Sequence, residues 1–187
     1  MIETFVADFL DLFKGRLDTA GLDMTASGAP GPFRFHESTD YAESWIGLAN
    51  GHLCGRLGIG VYPVWHGQVE WGCVDFDDGE DAAWEHATAL RSVLNAFNIT
   101  GWIERSRSKG YHVWVFSAGW VPALMMRRAL MGACAISGVP DREVNPKSAS
   151  LDPDQLGNFV RLPYFASDAA MPTHQAQREA RVAGDEG

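Results

Sequence analysis

The run Val69-Glu70-Trp71-Gly72-Cys73-Val74-Asp75-Phe76-Asp77 decides how the rest of the chain is read. It reads as a β-strand, along which successive side chains take opposite faces. Val74 and Phe76 then point into a core, while Asp75 and Asp77 point together the other way. Residues two apart on a strand have Cα atoms roughly 6.5 Å apart, so both carboxylates reach one small volume. Adjacent like charges are costly unless a cation neutralises them, and a hard divalent ion accepts such oxygen ligands. The same residues also read as an acidic strand end entering a turn, because Asp78-Gly79 follows at once. Taken alone, they leave the two readings level.

Outward from this strand, Gly58 to Pro63 reads as a preceding strand, and His66-Gly67-Gln68 as the turn of a hairpin that carries both aspartates at its far end. After it, Ala83, Ala87, Leu90, Leu94 and Phe97 form one stripe of a helix over 81–97. Strands are expected at 102–104 and 111–116, joined by Arg105-Ser106-Arg107-Ser108-Lys109-Gly110. In the second of these, His112, Trp114 and Phe116 share one face and Tyr111, Val113 and Val115 the other. Pro122 suits the first turn of a helix that Gly138-Val139-Pro140 stops. Short strands are expected at 142–145 and 158–162.

Upstream, Ile2, Phe5, Val6, Phe9, Leu10 and Phe13 recur at helical spacing. Gly21 to Pro32 reads as a loop, and Asp40-x-x-Glu43 as a capping box for a short helix. Beyond Phe165 the composition turns to Ala, Ser, Gln, Arg, Asp and Gly, the profile of a flexible tail or linker at 166–187. Strands interleaved with helices make the chain α/β or α+β, with a mixed sheet flanked by helices. The 187 residues suit a single globular domain.

Cys54, Cys73 and Cys134 are odd in number and widely spaced, which argues against a disulfide framework or structural zinc and fits a reducing cytoplasm. No apolar run approaches the ~20 residues that span a bilayer, and the first residues lack a basic leader. Net charge is −9, which argues against gripping long duplex DNA by charge alone. The charge is nevertheless segregated. Seven acidic residues and no Lys or Arg lie between Glu70 and Glu85. Between Gly101 and Arg128 stand Arg105, Arg107, Lys109, Arg127 and Arg128 against Glu104 alone. Acidic and basic clusters side by side suit metal ions holding a phosphorylated ligand.

The loop supplies small hydroxyl residues and a glycine, Ser106, Ser108 and Gly110, through which backbone N–H groups can approach phosphate oxygens; Lys109 adds charge. His112 follows and could donate to a phosphate or sugar. The alternative is a solvated basic hairpin tip with a core histidine. Asp141, Glu143 and Lys147 surround Val144-Asn145-Pro146, and Gly157-Asn158-Phe159-Val160-Arg161-Leu162-Pro163 comes later. A third carboxylate there would complete a metal site, and Lys147 and Arg161 could clamp a triphosphate; singly, each also reads as a solvated surface charge.

In order, Gly60-Val-Tyr-Pro63, Trp71-Gly-Cys-Val-Asp-Phe-Asp77, Ser108-Lys-Gly-Tyr-His-Val-Trp-Val-Phe116, Glu143-Val-Asn-Pro-Lys147 and Leu156-Gly-Asn-Phe-Val-Arg-Leu-Pro-Tyr164 resemble the catalytic domain of the archaeo-eukaryotic primase superfamily. The likeness is to its primase-polymerase branch from phages, plasmids and other mobile elements. It runs from about His52 to Phe165, making 51–165 a catalytic core with an RRM-like sheet and 1–50 a helical and loop segment packed on it. The resemblance implies that Asp75 and Asp77 bind metal and that His112 contacts the nucleotide phosphates. It places Ser106, Ser108, Lys109 and Gly110 by the triphosphate, and Lys147, Asn158 and Arg161 on phosphates or template. It favours Glu143 as the third acidic ligand, because relatives commonly show an acidic residue just before an aliphatic-aromatic-Pro-Lys run; Asp141 is the alternative, because Asn145 stands where that aromatic is common.

Two divalent cations, Mg²⁺ or Mn²⁺, single-stranded DNA template and nucleoside triphosphates are implied partners, with a replicative helicase or further domains beside them. Arg105, Arg107, Tyr111 and Trp114 are candidates for template contact. A two-metal nuclease, and a silent nucleotide- or DNA-binding module of a replication protein, are the competing readings.

Overall fold

The structure is a computed structural model that describes residues 2–24, 28–106, 110–148, 151–152 and 155–165. In chain order its elements are α1 (Ile2–Leu12), β1 (Thr19–Leu22), β2 (Gly31–Arg34), α2 (Tyr41–Leu53), β3 (Ile59–Val61), β4 (Gln68–Phe76), α3 (Glu80–Ala96), β5 (Trp102–Arg105), β6 (Tyr111–Pro122), α4 (Ala123–Ser137), β7 (Val144–Asn145) and β8 (Val160–Arg161). The expected tail at 166–187 lies outside the described residues.

Helix boundaries follow their sequence signals. Asp40 Oδ1 accepts from the N–H groups of Ala42 and Glu43, satisfying two donors that a helix start leaves open. Gly79, with φ 96°, turns the chain from the strand end into α3 in a conformation that side chains disfavour. Gly138 closes α4 in the left-handed region.

The strands form two sheets, ordered β2-β1-β3-β8 and β5-β6-β4-β7. In the second, β4–α3–β5 and β6–α4–β7 are each a strand–helix–strand unit whose two strands are parallel but separated by a third. This interleaving is the split βαβ arrangement of ferredoxin-like and RRM-like sheets. It also explains why every pairing among the described strands is antiparallel rather than mixed. The α+β class read from the sequence stands.

Two further expectations change. β3 does not form a hairpin with β4; it pairs with β1 and β8 in the other sheet. Only the bridge Trp65–Gln68 remains of that turn, because both edges of β4 are occupied by β6 and β7. The Gly- and Pro-rich segment 21–32 is not wholly loop. Gly21 and Leu22 end β1, and Gly31 and Pro32 open β2, in register Gly21↔Pro32 and Leu22↔Gly31.

The β5-β6-β4-β7 sheet is covered on both faces. On one, Val74, Phe76, Tyr111, Val113 and Val115 pack against Ala83, Leu90 and Leu94 of α3 and Met126 and Leu130 of α4. On the other, Trp71, Cys73 and Trp114 meet Phe9 and Phe13 near α1, Trp45 of α2, and Ile59, Val61 and Val160 of the first sheet. Trp71, wholly buried, donates its Nε1–H to Lys14 O at 2.6 Å, so the largest core side chain buries no unmade hydrogen bond. The apolar cover stops short of the end of β4. There the second face opens as a cleft.

Candidate active site

Strand register assembles the cleft. Asp75 pairs with His112 across β4–β6, and His112 with Glu104 across β5–β6. On the far side Asp75 N donates to Glu143 O at 3.1 Å, just beyond the pairing Val74↔Val144. Glu104, His112, Asp75 and Glu143 therefore lie abreast across four strands, and Asp77 follows Asp75 on the same face. With Ser106, Asn145, Lys147, Asn158, Phe159 and Arg161 they line a cleft of about 270 Å³. The β4 alternation read from the sequence is what puts both aspartates there.

The charges are unbalanced. Four carboxylates line the cleft: Asp75, Asp77, Glu104 and Glu143. Asp75 Oδ1 is buried and has no hydrogen-bond partner; His112 Nε2 lies 3.5 Å away, a charge contact. Burial, then the Asp75 charge, lifts the Asp77 carboxyl above the usual carboxylate range, with Glu143 and Asp78 adding and His112 opposing. His112 is buried, which disfavours its charged form, yet Glu104 and Asp75 overcome this and push it up to about 10. Its Nδ1 lies 2.7 Å from Glu104 Oε2.

An orphaned buried carboxylate oxygen, a neighbour held above its normal range and an all-oxygen donor set fit a hard divalent cation. Among the described residues, no three Asp, Glu, His or Cys side chains already converge as a ligand set. The side chain of Glu143 instead forms an ion pair with Lys147. Asp141 is exposed and does not line the cleft; its charge is felt by Cys134 of α4.

Other expected residues are placed as follows. Arg127 Nη1–H groups donate to Val144 O at 2.7 Å and Pro146 O at 2.9 Å, tying the Glu143–Lys147 segment to α4. Arg161 reaches the cleft from β8 and donates to Asp23 Oδ1 at 2.6 Å. Asn158 lies on the same wall. Phe159, between them, rests on Gly21 and Gly60, where a Cβ would collide with its ring. Ser106 and Gly110 close the basic loop, Ser106 N–H donating to Gly110 O at 3.0 Å and Gly110 N–H to Ser106 Oγ at 3.2 Å. Arg107, Ser108 and Lys109 lie outside the described residues.

The structure removes two candidates for template contact. Tyr111 faces the helices and packs on Trp84. Trp114 is buried among Phe13 and Trp71. Trp102, opposite Trp114 on the edge strand β5, is by contrast 60% exposed. Sequence reasoning also passed over Glu104 as a site residue. The signal was available in the hairpin: once Arg105 is paired with Tyr111, Glu104 must face His112.

No helix among the described residues is long and apolar enough to cross a membrane. No curated protein sequence matches the chain. A family model described as "TOTE conflict system, Archaeo-Eukaryotic Primase domain" matches residues 37–172, a span that holds every residue lining the cleft and reaches further upstream than the motifs quoted above. The chain therefore belongs to this archaeo-eukaryotic primase domain family, a family of primase-like nucleotidyltransferases.

Proposed function

We propose that the domain is a template-directed primase-polymerase, joining nucleoside triphosphates on single-stranded DNA. The observation that carries the reading is the row Glu104–His112–Asp75–Glu143 beside Asp77, lining one cleft together with Lys147, Asn158 and Arg161. Carboxylates sharing a cleft with basic and amide side chains suit a triphosphate held between cations and protein donors.

Asp75, Asp77 and Glu143 would hold the divalent cations, Mg²⁺ or Mn²⁺. Those ions supply charge neutralisation for the triphosphate and acidify the attacking 3′-hydroxyl. The chain itself positions. His112 Nε2 lies at the carboxylate row and donates to a phosphate oxygen. Arg161 and Asn158 bind phosphates from the β8 wall, and Lys147, which pairs with Glu143, supplies a further cation to them. Phosphoryl transfer of this kind needs positioning and electrostatics rather than a nucleophilic side chain. Trp102 offers a stacking surface for a template base.

The test is incubation with single-stranded template, labelled nucleotides and Mn²⁺ or Mg²⁺. Incorporation that Asp75→Ala and Asp77→Ala abolish supports the reading. Shortened template without incorporation would replace it with the nuclease, and incorporation unaffected by either substitution would overturn the site.

A further inference from the structure

Glu104 is the cleft carboxylate for which metal binding and phosphate contact leave no task. One of its two oxygens, Oε2, lies 2.7 Å from His112 Nδ1 and accepts from Trp114 Nε1–H at 2.9 Å. Those two residues are successive on one face of β6, and both are buried. Trp114 cannot shift to suit the bond, because Phe13, Trp71 and Phe116 surround its ring. The indole thus fixes the carboxylate, and the carboxylate fixes the imidazole.

With Nδ1 held, the imidazole cannot turn about its own bond, and Nε2 stays aimed at Asp75 and the cleft. A neutral acceptor would hold both donors less firmly, since bonds to a charged oxygen are roughly twice as strong. A glutamate that served only to satisfy a buried indole N–H would have no need to share that oxygen with a cleft histidine.

We infer that Glu104 is a positioning residue, which orients His112 for the triphosphate of the incoming nucleotide by anchoring it to Trp114; this rests on the primase reading. The test compares Glu104→Gln, His112→Ala and the double variant with the parent protein. Measured quantities are kcat and KM for a deoxynucleoside triphosphate on a primed single-stranded template with Mn²⁺, alongside melting temperature. Glu104→Gln raises KM roughly tenfold to a hundredfold, the range for a hydrogen bond to a charged group, while the fold persists. Added to His112→Ala it does nothing further, because the side chain it positions is gone.

Unchanged KM with a lowered melting temperature, or additive effects in the double variant, would mean that Glu104 only supports the fold, and would overturn the inference. If Glu104→Gln fails to fold, Glu104→Asp keeps the charge with a shorter tether, and the same cycle is read. A parent protein that neither binds nor incorporates the nucleotide defeats the primase reading itself, a different result from an active parent indifferent to Glu104.

Discussion

Replacing Gly110 with alanine tests whether the close crossing of two strands sets the position of Asp77. A Cβ on Gly110 would press on Phe76 O and stand 2.5 Å from Asp77 Oδ1. Carbon and oxygen without a strong bond between them settle at about 3.3 Å or more. The Asp77 contact must therefore open by roughly 0.8 Å and the closer one to Phe76 O by more. The carboxylate alone cannot relieve the strain, because Phe76 O is backbone and Phe76 is paired with Tyr111. The end of β4 moves, and Asp77 moves with it. A misplacement of about 1 Å costs on the order of 100-fold in rate where catalysis is positioning.

Stability changes less, because overpacking costs about 1–3 kcal/mol and each kcal/mol shifts the melting temperature of a domain this size by about 2–4 °C. Steady-state incorporation on a primed template, with thermal melting in parallel, measures both. Gly119→Ala on the same strand is the control, since nothing lies within 4 Å of its Cβ. Activity of Gly110→Ala within about threefold of the parent would refute the reasoning.

Other perturbations probe independent parts of the molecule. Trp102→Ala lowers affinity for a labelled single-stranded oligonucleotide by about tenfold or more, the worth of one stacked base, with melting unchanged; equal affinities by fluorescence anisotropy would remove Trp102 from the template path. In the folded protein a thiol reagent modifies Cys54 alone, because Cys73 and Cys134 are buried and burial pushes the Cys134 thiol up to about 11; rapid reaction of three thiols before denaturant is added would contradict the packing. Burial raises the Asp18 carboxyl, but Arg16 at 2.6 and 3.0 Å and Thr19 outweigh it and hold the group below its ordinary range. The stabilisation it gives is therefore full above about pH 4 and is lost as pH falls through the folded value. Asp18→Asn costs about 1 kcal/mol at pH 7, and the gap to the parent closes on acidification; a gap independent of pH by urea unfolding would exclude this linkage.

The parts legible in the sequence are those where one local rule decides. Alternation along 71–77 and 111–116 assigned each side chain to its face, because one face of each strand had to bury Val74, Phe76, Val113 and Val115; an irregularity between Val69 and Trp71 breaks it upstream and returns Val69 to the side of Val74. Asp40 and Gly138 marked helix ends because capping is satisfied within a turn, and Pro122 did so because its fixed φ and missing N–H suit a helix start. The strands β1 and β2 were hidden for the opposite reason. Gly21 and Gly60 lack side chains so that Phe159, over 90 residues on, can lie across the sheet, and a residue that makes room gives no periodic signal. The β3–β4 hairpin failed likewise. A turn fixes how the chain reverses, but not whether a distant segment such as β7 claims the strand edge first.

Glu104 shows where site and fold meet. By composition it was an isolated acid in a basic stretch, and nothing about its own neighbours distinguishes it. Its partner is fixed by the β5–β6 pairing, its anchor by the packing of Trp114 under α1, and its place in the row by β6 lying between β4 and β5. The split βαβ order therefore bears on chemistry as well as topology. Inserting β6 beside β4 sets a histidine against the first aspartate, and letting β7 take the other edge sets a glutamate there. A chain with the same motifs in sequence but β5 directly beside β4 would put Glu104 where His112 now stands, leaving the acidic row without its one internal cation.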